Sequence, residues 1–240
     1  MADLLVIVPS RGRPESLPKV VKAWQETGAF ADAALTFVID TDDPRYEEYR
    51  AIPLPPPEER GPVRLVGADQ WRPLVPKLNL AAGAWAGEHF ALAFAGDDHL
   101  PRTPGWAKRY LDELRDLGTG IVYGNDRIQG ERLPTQWAMT SDIVRTLGRM
   151  IPADVEHLYC DNAILDLGRA AECIRYLPDV VIEHCHPVAG RGVWDAGYER
   201  VNRREQYARD HAAYQQWRAD RMADDVAAVK ALRKGVTARG

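Results

Sequence analysis

Apolar runs alternate with helical patterns along the first 190 residues of the chain. Leu4–Val8 and Leu35–Ile39 are continuous apolar segments rich in β-branched residues, which is typical of strands buried on both faces. Between them, the segment Leu17–Trp24 has its apolar residues at the spacing of one helix face. This order of strand, helix and strand predicts a parallel βαβ unit at the start of the chain.

The same two patterns recur further along and predict an α/β domain followed by a helical tail. Short apolar runs predict strands over residues 63–66, 90–95, 121–123 and 180–186. Helical spacing predicts helices over residues 77–85, 106–117, 141–150 and 161–173. From residue 195 to about residue 234 the pattern is polar, arginine-rich and helical.

Composition narrows the class of protein without naming an activity. The 240 residues are 45 % hydrophobic and 28 % charged, as in a globular domain. The longest apolar runs fall far short of the roughly 20 residues that span a bilayer, and the N-terminus lacks a signal-peptide pattern. Three scattered cysteines (Cys160, Cys173 and Cys185) are too few for a disulfide framework. We therefore expect a cytoplasmic protein without a membrane span.

Charge is distributed unevenly along the chain. The formal net charge of −4 combines −8 on residues 1–190 with +4 on residues 191–240. A basic tail on an acidic body is compatible with a polyanionic partner, and equally with a solvated helix face.

Acidic residues follow two of the predicted strands. Asp40 and Asp42 come after one buried run, and Asp97 and Asp98 come after another. Ligands of open α/β sheets bind outside the carboxyl ends of the strands, and carboxylates gathered there repel one another unless a cation compensates them. With the adjacent His99, these oxygens suit Mn²⁺ or Mg²⁺ carrying a diphosphate. The alternative is that the two adjacent acids only form a turn.

Three further groups of residues can carry chemistry. His184 and His186 are two apart, so a strand would place both on one face beside a metal, although either can be a structural histidine. Asp161 begins a predicted helix, either as a cap or as a general base. The loop Ser10–Arg13 offers guanidinium and backbone N–H groups to an anion, but the chain contains neither of the glycine-rich phosphate-binding motifs.

The order of these features resembles that of the family 2-type glycosyltransferases with the GT-A fold. The matching segments are Val6–Pro14, Val38–Asp43, Lys77–Asn79, Gly96–His99, Pro104–Trp106, Cys160–Asp161 and the His184/His186 pair. The match departs from the family pattern at the metal-binding motif, where Ala95 and Gly96 precede Asp97, and at Cys160, where an acid is usual.

The resemblance implies a GT-A fold, with a mixed and mostly parallel sheet flanked by helices, over residues 1–190. It places a nucleotide-sugar half at about 1–100 and an acceptor half at about 101–190. Residues 191–240 are then a basic helical C-terminal extension. The implied activity is metal-dependent transfer of a sugar from a nucleotide-diphosphate sugar, UDP-linked by preference, to an acceptor hydroxyl with inversion.

The resemblance also implies roles for individual residues. Asp161 is the implied catalytic base. The implied donor-binding residues are Pro9, Ser10, Arg11, Arg13, Asp40, Asp42, Lys77, Asn79 and Asp97. The implied ligands of Mn²⁺ or Mg²⁺ are Asp98, His99, His184 and His186.

A narrower resemblance concerns the acceptor. Five segments are similar to those of small glycosyltransferases encoded by bacteriophages, some of which glycosylate hydroxymethylated pyrimidines in DNA. They are Gly124–Asp126, Gly130–Pro134, His157–Tyr159, Asp161–Asn162 and Tyr176–His184. A basic tail with interleaved aromatic residues would fit a DNA acceptor. Two alternatives remain open: a sugar nucleotidyltransferase, and a nucleic-acid-binding protein acting through residues 191–240.

Overall fold

The computed structural model describes residues 2–54, 63–68, 72–187, 190 and 194–237. Within these ranges the strands are β1 (Leu4–Ser10), β2 (Ala33–Asp40), β3 (Val63–Ala68), β4 (Ala91–Phe94), β5 (His99–Pro101), β6 (Ile121–Asn125), β7 (Trp137–Thr140) and β8 (Ile174–His184). The helices are α1 (Ser16–Glu26), α2 (Tyr46–Arg50), α3 (Leu74–Trp85), α4 (Trp106–Leu117), α5 (Ser141–Leu147), α6 (Cys160–Ala170), α7 (Ala196–Val201), α8 (Arg204–Asp220) and α9 (Met222–Thr237).

The strands form one sheet in the order β3-β2-β1-β4-β7-β6-β8-β5. The first four of these pair in parallel, and β1 and β2 run in register from Leu4 opposite Ala33 to Ser10 opposite Ile39. Strand β7 is antiparallel to both its neighbours, and β5 is antiparallel to β8. The initial βαβ unit and the mixed, mostly parallel sheet predicted from the sequence are therefore confirmed.

Helices cover both faces of the sheet, which explains the unbroken apolar runs. Every residue of β1, β2, β4 and β7 is buried. One face packs against α1 and α4, and the other against α3, α5 and α6. The second face also receives Tyr214 and Trp217 of α8 and Val229 of α9. The C-terminal helices thus share the core of the sheet.

Ion pairs within the molecule join the basic C-terminal part of the chain to the acidic body. Four basic side chains between residues 209 and 230 pair with acids of the preceding body. The pairs are Arg209–Glu156 at 2.7 Å, Arg221–Asp154 at 2.6 Å, Arg218–Asp166 at 3.2 Å and Lys230–Glu172 at 3.4 Å. Part of the positive charge of residues 191–240 therefore holds the C-terminal helices against the body; residues 191–193 and 238–240 lie outside the described part.

The structure departs from the predicted elements at several short strands. Strands β5 and β7 have three and four residues, too few for a recognisable period, and neither was predicted. Strand β8 begins at Ile174 and ends at His184, six and two residues before the predicted limits. It contains Pro178, which lies beside the register shift between β6 and β8, where a ladder hydrogen bond is not required.

Within the described ranges, no helix has both the length and the apolar character needed to cross a bilayer.

Candidate active site

The loop after β1 is joined to the turn after β4 at the carboxyl edge of the sheet. Ser10 Oγ donates a hydrogen bond of 2.5 Å to Asp97 Oδ2 and lies 2.9 Å from the hydroxyl of Tyr49. That hydroxyl accepts the backbone N–H of Arg13 at 2.7 Å. Gly12 has a φ of +73°, which suits glycine, and its N–H donates to Asp43 Oδ2 at 2.6 Å. The loop is thereby fixed against Tyr49, Asp43 and the turn after β4.

A buried ion pair lies at the end of β2. Asp40, which is fully buried, accepts hydrogen bonds at Oδ2 from Lys77 Nζ (2.7 Å) and Arg11 Nη1 (3.1 Å). Burial lowers the pKa of Lys77, and the bond to Asp40 opposes that shift. Arg11 also donates to Asp42 Oδ1 at 2.7 Å, and the Asp42 side chain is 50 % exposed. Arg11 and Asp42 are therefore the partly exposed members of this group.

The turn after β4 and the end of β8 bring a carboxylate and two imidazoles together. Asp98 Oδ1 lies 3.1 Å from His99 Nδ1, and Asp98 Oδ2 lies 3.2 Å from His184 Nε2. The two imidazole rings stack with their centroids 4.1 Å apart. One potential ligand atom from each of these three residues lies within 4.8 Å of the others.

This group fits a divalent cation. His99 Nδ1 lies 3.1 Å both from Gly96 N and from Asp98 Oδ1, so the turn holds this imidazole against the carboxylate. A Cβ on Gly96 would lie 2.6 Å from Asp98 Oδ1 and 2.9 Å from His99 Nδ1. Glycine is needed there because the two side chains fold back over it. One oxygen and two nitrogen ligands favour Mn²⁺ over Mg²⁺.

The two adjacent aspartates have opposite electrostatics. Burial by itself would raise the pKa of Asp98, but hydrogen bonds from His184 and His99 outweigh it and hold that pKa well below its usual value. Burial and the charge of Asp98 raise the pKa of Asp97 to about 6, against the opposing effects of Arg13 and Ser10. Asp98 is therefore the more acidic of the two carboxyl groups.

His99 is supported from behind by a short chain of hydrogen bonds. Its Nε2 lies 3.4 Å from Thr135 Oγ1, and Thr135 donates to Asp126 Oδ2 at 2.9 Å. The other oxygen of Asp126 accepts three backbone N–H groups, from residues 128–130. Neither Thr135 nor Asp126 was assigned a role from the sequence, because nothing local links them to a histidine some 30 residues away.

Two residues of the C-terminal part also enter the site. Asp195 takes Arg13 in a two-point ion pair, at 2.6 Å to Nε and 2.9 Å to Nη2. The guanidinium lies 4.2 Å from the ring centroid of Tyr198, and it also contacts Asp97 at 3.3 Å. The Tyr198 hydroxyl donates to Asp98 Oδ2 at 2.6 Å. Sequence reasoning missed both Asp195 and Tyr198; the helix-start position of Asp195 was the only local signal.

Asp161 lies in the first turn of α6, and in the described part of the chain no lysine or arginine forms an ion pair with it. Its Oδ1 accepts the N–H of Asn162 at 2.9 Å. Burial raises the pKa of Asp161 to about 6, and the charge of His184 works in the opposite direction. The Asp161 carboxyl group is thus partly buried, and its pKa responds to the charge of His184.

The loop before Asp161 is held by a C-terminal helix. Asp210 of α8 is fully buried and accepts the backbone N–H groups of residues 156, 157 and 158 at 2.8, 3.1 and 2.8 Å. Tyr159, which follows with a φ of +63°, packs against Tyr214 of the same helix. Asp210 was not singled out in the sequence, since an acid in a polar helical stretch has no local mark.

The remaining residues with predicted roles have different positions. Pro9 lies in β1 opposite Val38. Asn79 uses its amide on the backbone of residues 150 and 151, at 2.8 to 3.2 Å, so its contacts lie away from the carboxylate group. His186 follows the end of β8, and its ring lies 5.0 Å from that of His184 and 4.8 Å from that of Tyr198, outside the three-residue group.

Solved structures with a similar fold are nucleotide-sugar transferases. The mannosyltransferase PcManGT from Pyrobaculum calidifontis, in complex with GDP-Man and Mn²⁺, is 14 % identical with a TM-score of 0.62, over 99 % of this chain and 76 % of that chain. S. aureus TarS 1–349 in complex with UDP is 10 % identical with a TM-score of 0.58, over 100 % and 92 %. No family model and no curated protein matches the sequence. The predicted GT-A fold is confirmed by these structures.

Proposed function

We propose that this protein transfers a sugar from a nucleoside-diphosphate sugar to an acceptor hydroxyl. The observation that carries the proposal is the group of Asp98, His99 and His184, gathered at the carboxyl edge of a GT-A sheet within electrostatic reach of Asp161. A divalent-ion site and a separate base in one cleft are the two elements that such a transfer requires.

The end of the crevice near β2 is the proposed nucleotide site. Arg11 and Asp42 supply the outward-facing hydrogen-bonding groups for the base or ribose. Asp40, fully buried between Lys77 and Arg11, anchors these cations from beneath. The resemblance in sequence implies a UDP-sugar, and the two solved structures above carry GDP-Man and UDP.

The proposed cation site consists of Asp98, His99 and His184, with His186 beside it. When bound there, Mn²⁺ would neutralise the charge of the departing diphosphate. Arg13 adds a guanidinium that matches phosphate geometry and lies 3.3 Å from Asp97. Ser10 and Asp97 hold the loop and the turn together so that these charges point into the same crevice.

Asp161 is the proposed base. Its carboxylate accepts the proton of the acceptor hydroxyl while that oxygen forms a bond to the anomeric carbon. The bond from the anomeric carbon to the diphosphate breaks, and its electron pair leaves with the diphosphate, which inverts the configuration. A pKa of about 6 suits this role, because the group is ionised at neutral pH and still basic enough to take a proton.

The acceptor is proposed only as a hydroxyl compound. A hydroxymethylated pyrimidine in DNA, which the narrower resemblance implies, stays a prediction. Four basic side chains between residues 209 and 230 pair with acids of the body, so this proposal does not depend on a DNA-binding tail.

Calorimetric titration of the protein with UDP and GDP, with and without Mn²⁺, tests the donor site. We expect one nucleotide to bind at least tenfold more tightly with Mn²⁺. The protein is then incubated with a panel of the corresponding sugar donors and with acceptors that include hydroxymethylated and unmodified DNA. Mass spectrometry measures whether the acceptor gains the mass of one sugar. Absence of nucleotide binding under all conditions would refute the proposal, and release of pyrophosphate from a nucleoside triphosphate would favour a nucleotidyltransferase.

A further inference from the structure

The groups that the proposed donor site needs are already engaged by one short segment of the C-terminal part. The Tyr198 hydroxyl donates to Asp98 Oδ2 at 2.6 Å, on the same oxygen that faces His184. Asp195 holds Arg13 through two nitrogens, at 2.6 and 2.9 Å. A proposed cation ligand and a proposed phosphate-binding guanidinium are thus occupied together.

The segment is packed closely enough to act as a unit. Asp195 Oδ1 also accepts the backbone N–H of Tyr198 at 3.0 Å, which ties the two side chains to one turn of α7. A Cβ on Gly197 would lie 3.0 Å from Asp195 Oδ1 and 3.3 Å from Arg13 Nη2. These distances are short for a Cβ, so glycine permits the close approach of the turn to Arg13.

The contacts imitate those of a bound donor. A carboxylate that binds a guanidinium through two points has the same hydrogen-bonding geometry as a phosphate. A phenol that donates to a carboxylate oxygen occupies a lone-pair direction that a cation would otherwise use. Both contacts must break before a cation and a diphosphate bind, and the free energy that this costs lowers the affinity of the site for them.

We propose that the turn formed by Asp195 and Tyr198 is an intramolecular competitor for the donor site, with Asp195 in the place of the diphosphate and Tyr198 in the place of the cation. The inference rests on the proposed function. It predicts that the site discriminates against a cation alone: Mn²⁺ without a nucleotide must break the Tyr198 bond, whereas the complete donor complex replaces both contacts at once.

A titration of the full chain with Mn²⁺ in the absence of nucleotide tests the competition. The signal of free Mn²⁺ in electron paramagnetic resonance measures how much of the ion is bound. We expect Tyr198→Phe to bind Mn²⁺ about 5- to 10-fold more tightly than the wild type, since one hydrogen bond to a charged group no longer opposes the ion. Gly197→Ala keeps every polar group and should shift the affinity in the same direction. Tyr207→Phe, which removes an exposed hydroxyl bonded to Asn202, is the matched control and should leave the affinity unchanged.

The outcomes separate this inference from the function on which it rests. Equal affinities of the wild type and Tyr198→Phe would overturn the competition but leave the cation site intact. Weaker binding by Tyr198→Phe would overturn it in favour of Tyr198 as a residue that positions Asp98. If neither the wild type nor the variants bind Mn²⁺, the cation site itself fails and the competition fails with it.

Discussion

The proposed donor and acceptor sides of the site treat the same kind of side chain in opposite ways. On the donor side, Asp98 lies between two imidazoles, and their hydrogen bonds hold its pKa well below the usual value against the effect of burial. On the acceptor side, Asp161 has only backbone N–H groups as donors in the described structure, and burial raises its pKa to about 6. Surroundings therefore make the carboxyl group of Asp98 strongly acidic, and they raise the pKa of Asp161 into the range that its proposed role as a base requires.

The largest expected effect breaks the acceptor side. Asp161→Asn should lower the turnover number by about 10²- to 10⁴-fold, because the acceptor hydroxyl loses its base. Donor and Mn²⁺ affinities should change far less than the turnover number, since Asp161 is not among the proposed donor or cation ligands. Steady-state kinetics and calorimetry on the same preparations measure both. Asp166→Asn, in the same helix, is the control. Near-native turnover of Asp161→Asn would show that Asp161 is not the base.

A second experiment concerns the buried ion pair of the donor side. Lys77→Met leaves Asp40 with only the more distant Arg11 and should lower the free energy of unfolding by about 3 kcal/mol. Lys22→Met breaks an exposed pair with Glu26 and should cost about 0.5 kcal/mol or less. Urea denaturation measures both. Similar losses in the two variants would show that burial does not strengthen the Asp40 pair.

The cation site can be separated from the nucleotide site by two matched aspartate variants. Asp98→Asn removes a proposed ligand and should weaken Mn²⁺ binding by about 10- to 100-fold or more. Asp42→Asn, at the outer end of the crevice, should weaken nucleotide binding and leave Mn²⁺ binding as it is. Titration with each ligand alone distinguishes them, and the assignment fails if both variants lose Mn²⁺ equally.

The smallest effect is a change in stability with pH. The pKa of Asp161 is raised to about 6 in the folded state. Its contribution to the free energy of unfolding is therefore fully present below the ordinary pKa that the residue has in the unfolded chain, and it is lost as the pH rises through 6. Asp161→Asn should therefore be more stable than the wild type at pH 8, by about 1–2 kcal/mol, and the gap should narrow toward pH 4. Urea denaturation across this range measures it; a gap that widens toward acid pH would contradict a raised pKa.

Much of the fold follows from local pattern. The strand-helix-strand start and the helix Trp106–Leu117 were predicted because apolar spacing over 8 or more residues records which face is buried. Strands β5 and β7, with three and four residues, could not be predicted in this way. They are strands because they pair with β8 and β4, and not because of their own composition. The length of β8 depends likewise on its pairing with β6 and β5.

The positions of the acids could also be predicted from the sequence. Asp40 and Asp97 come at the ends of buried apolar runs, and parallel strands end at the same edge of a sheet. Their environments could not be predicted. No pattern near Asp40 indicates that Lys77 and Arg11 enclose it, and none near Asp98 indicates the hydroxyl of Tyr198.

The sequence by itself determined the alternation of strands and helices, the edge at which the carboxylates gather, and the residue types available for a cation and a base. Tertiary structure alone decided which aspartate is the most acidic, that Asp195 pairs with Arg13 across 182 residues, and that Asp210 fixes the loop before Asp161. The physical reason is range: periodicity and strand ends reflect neighbours along the chain. A charge state or an ion pair depends instead on burial and on partners that only folding brings within about 3 Å.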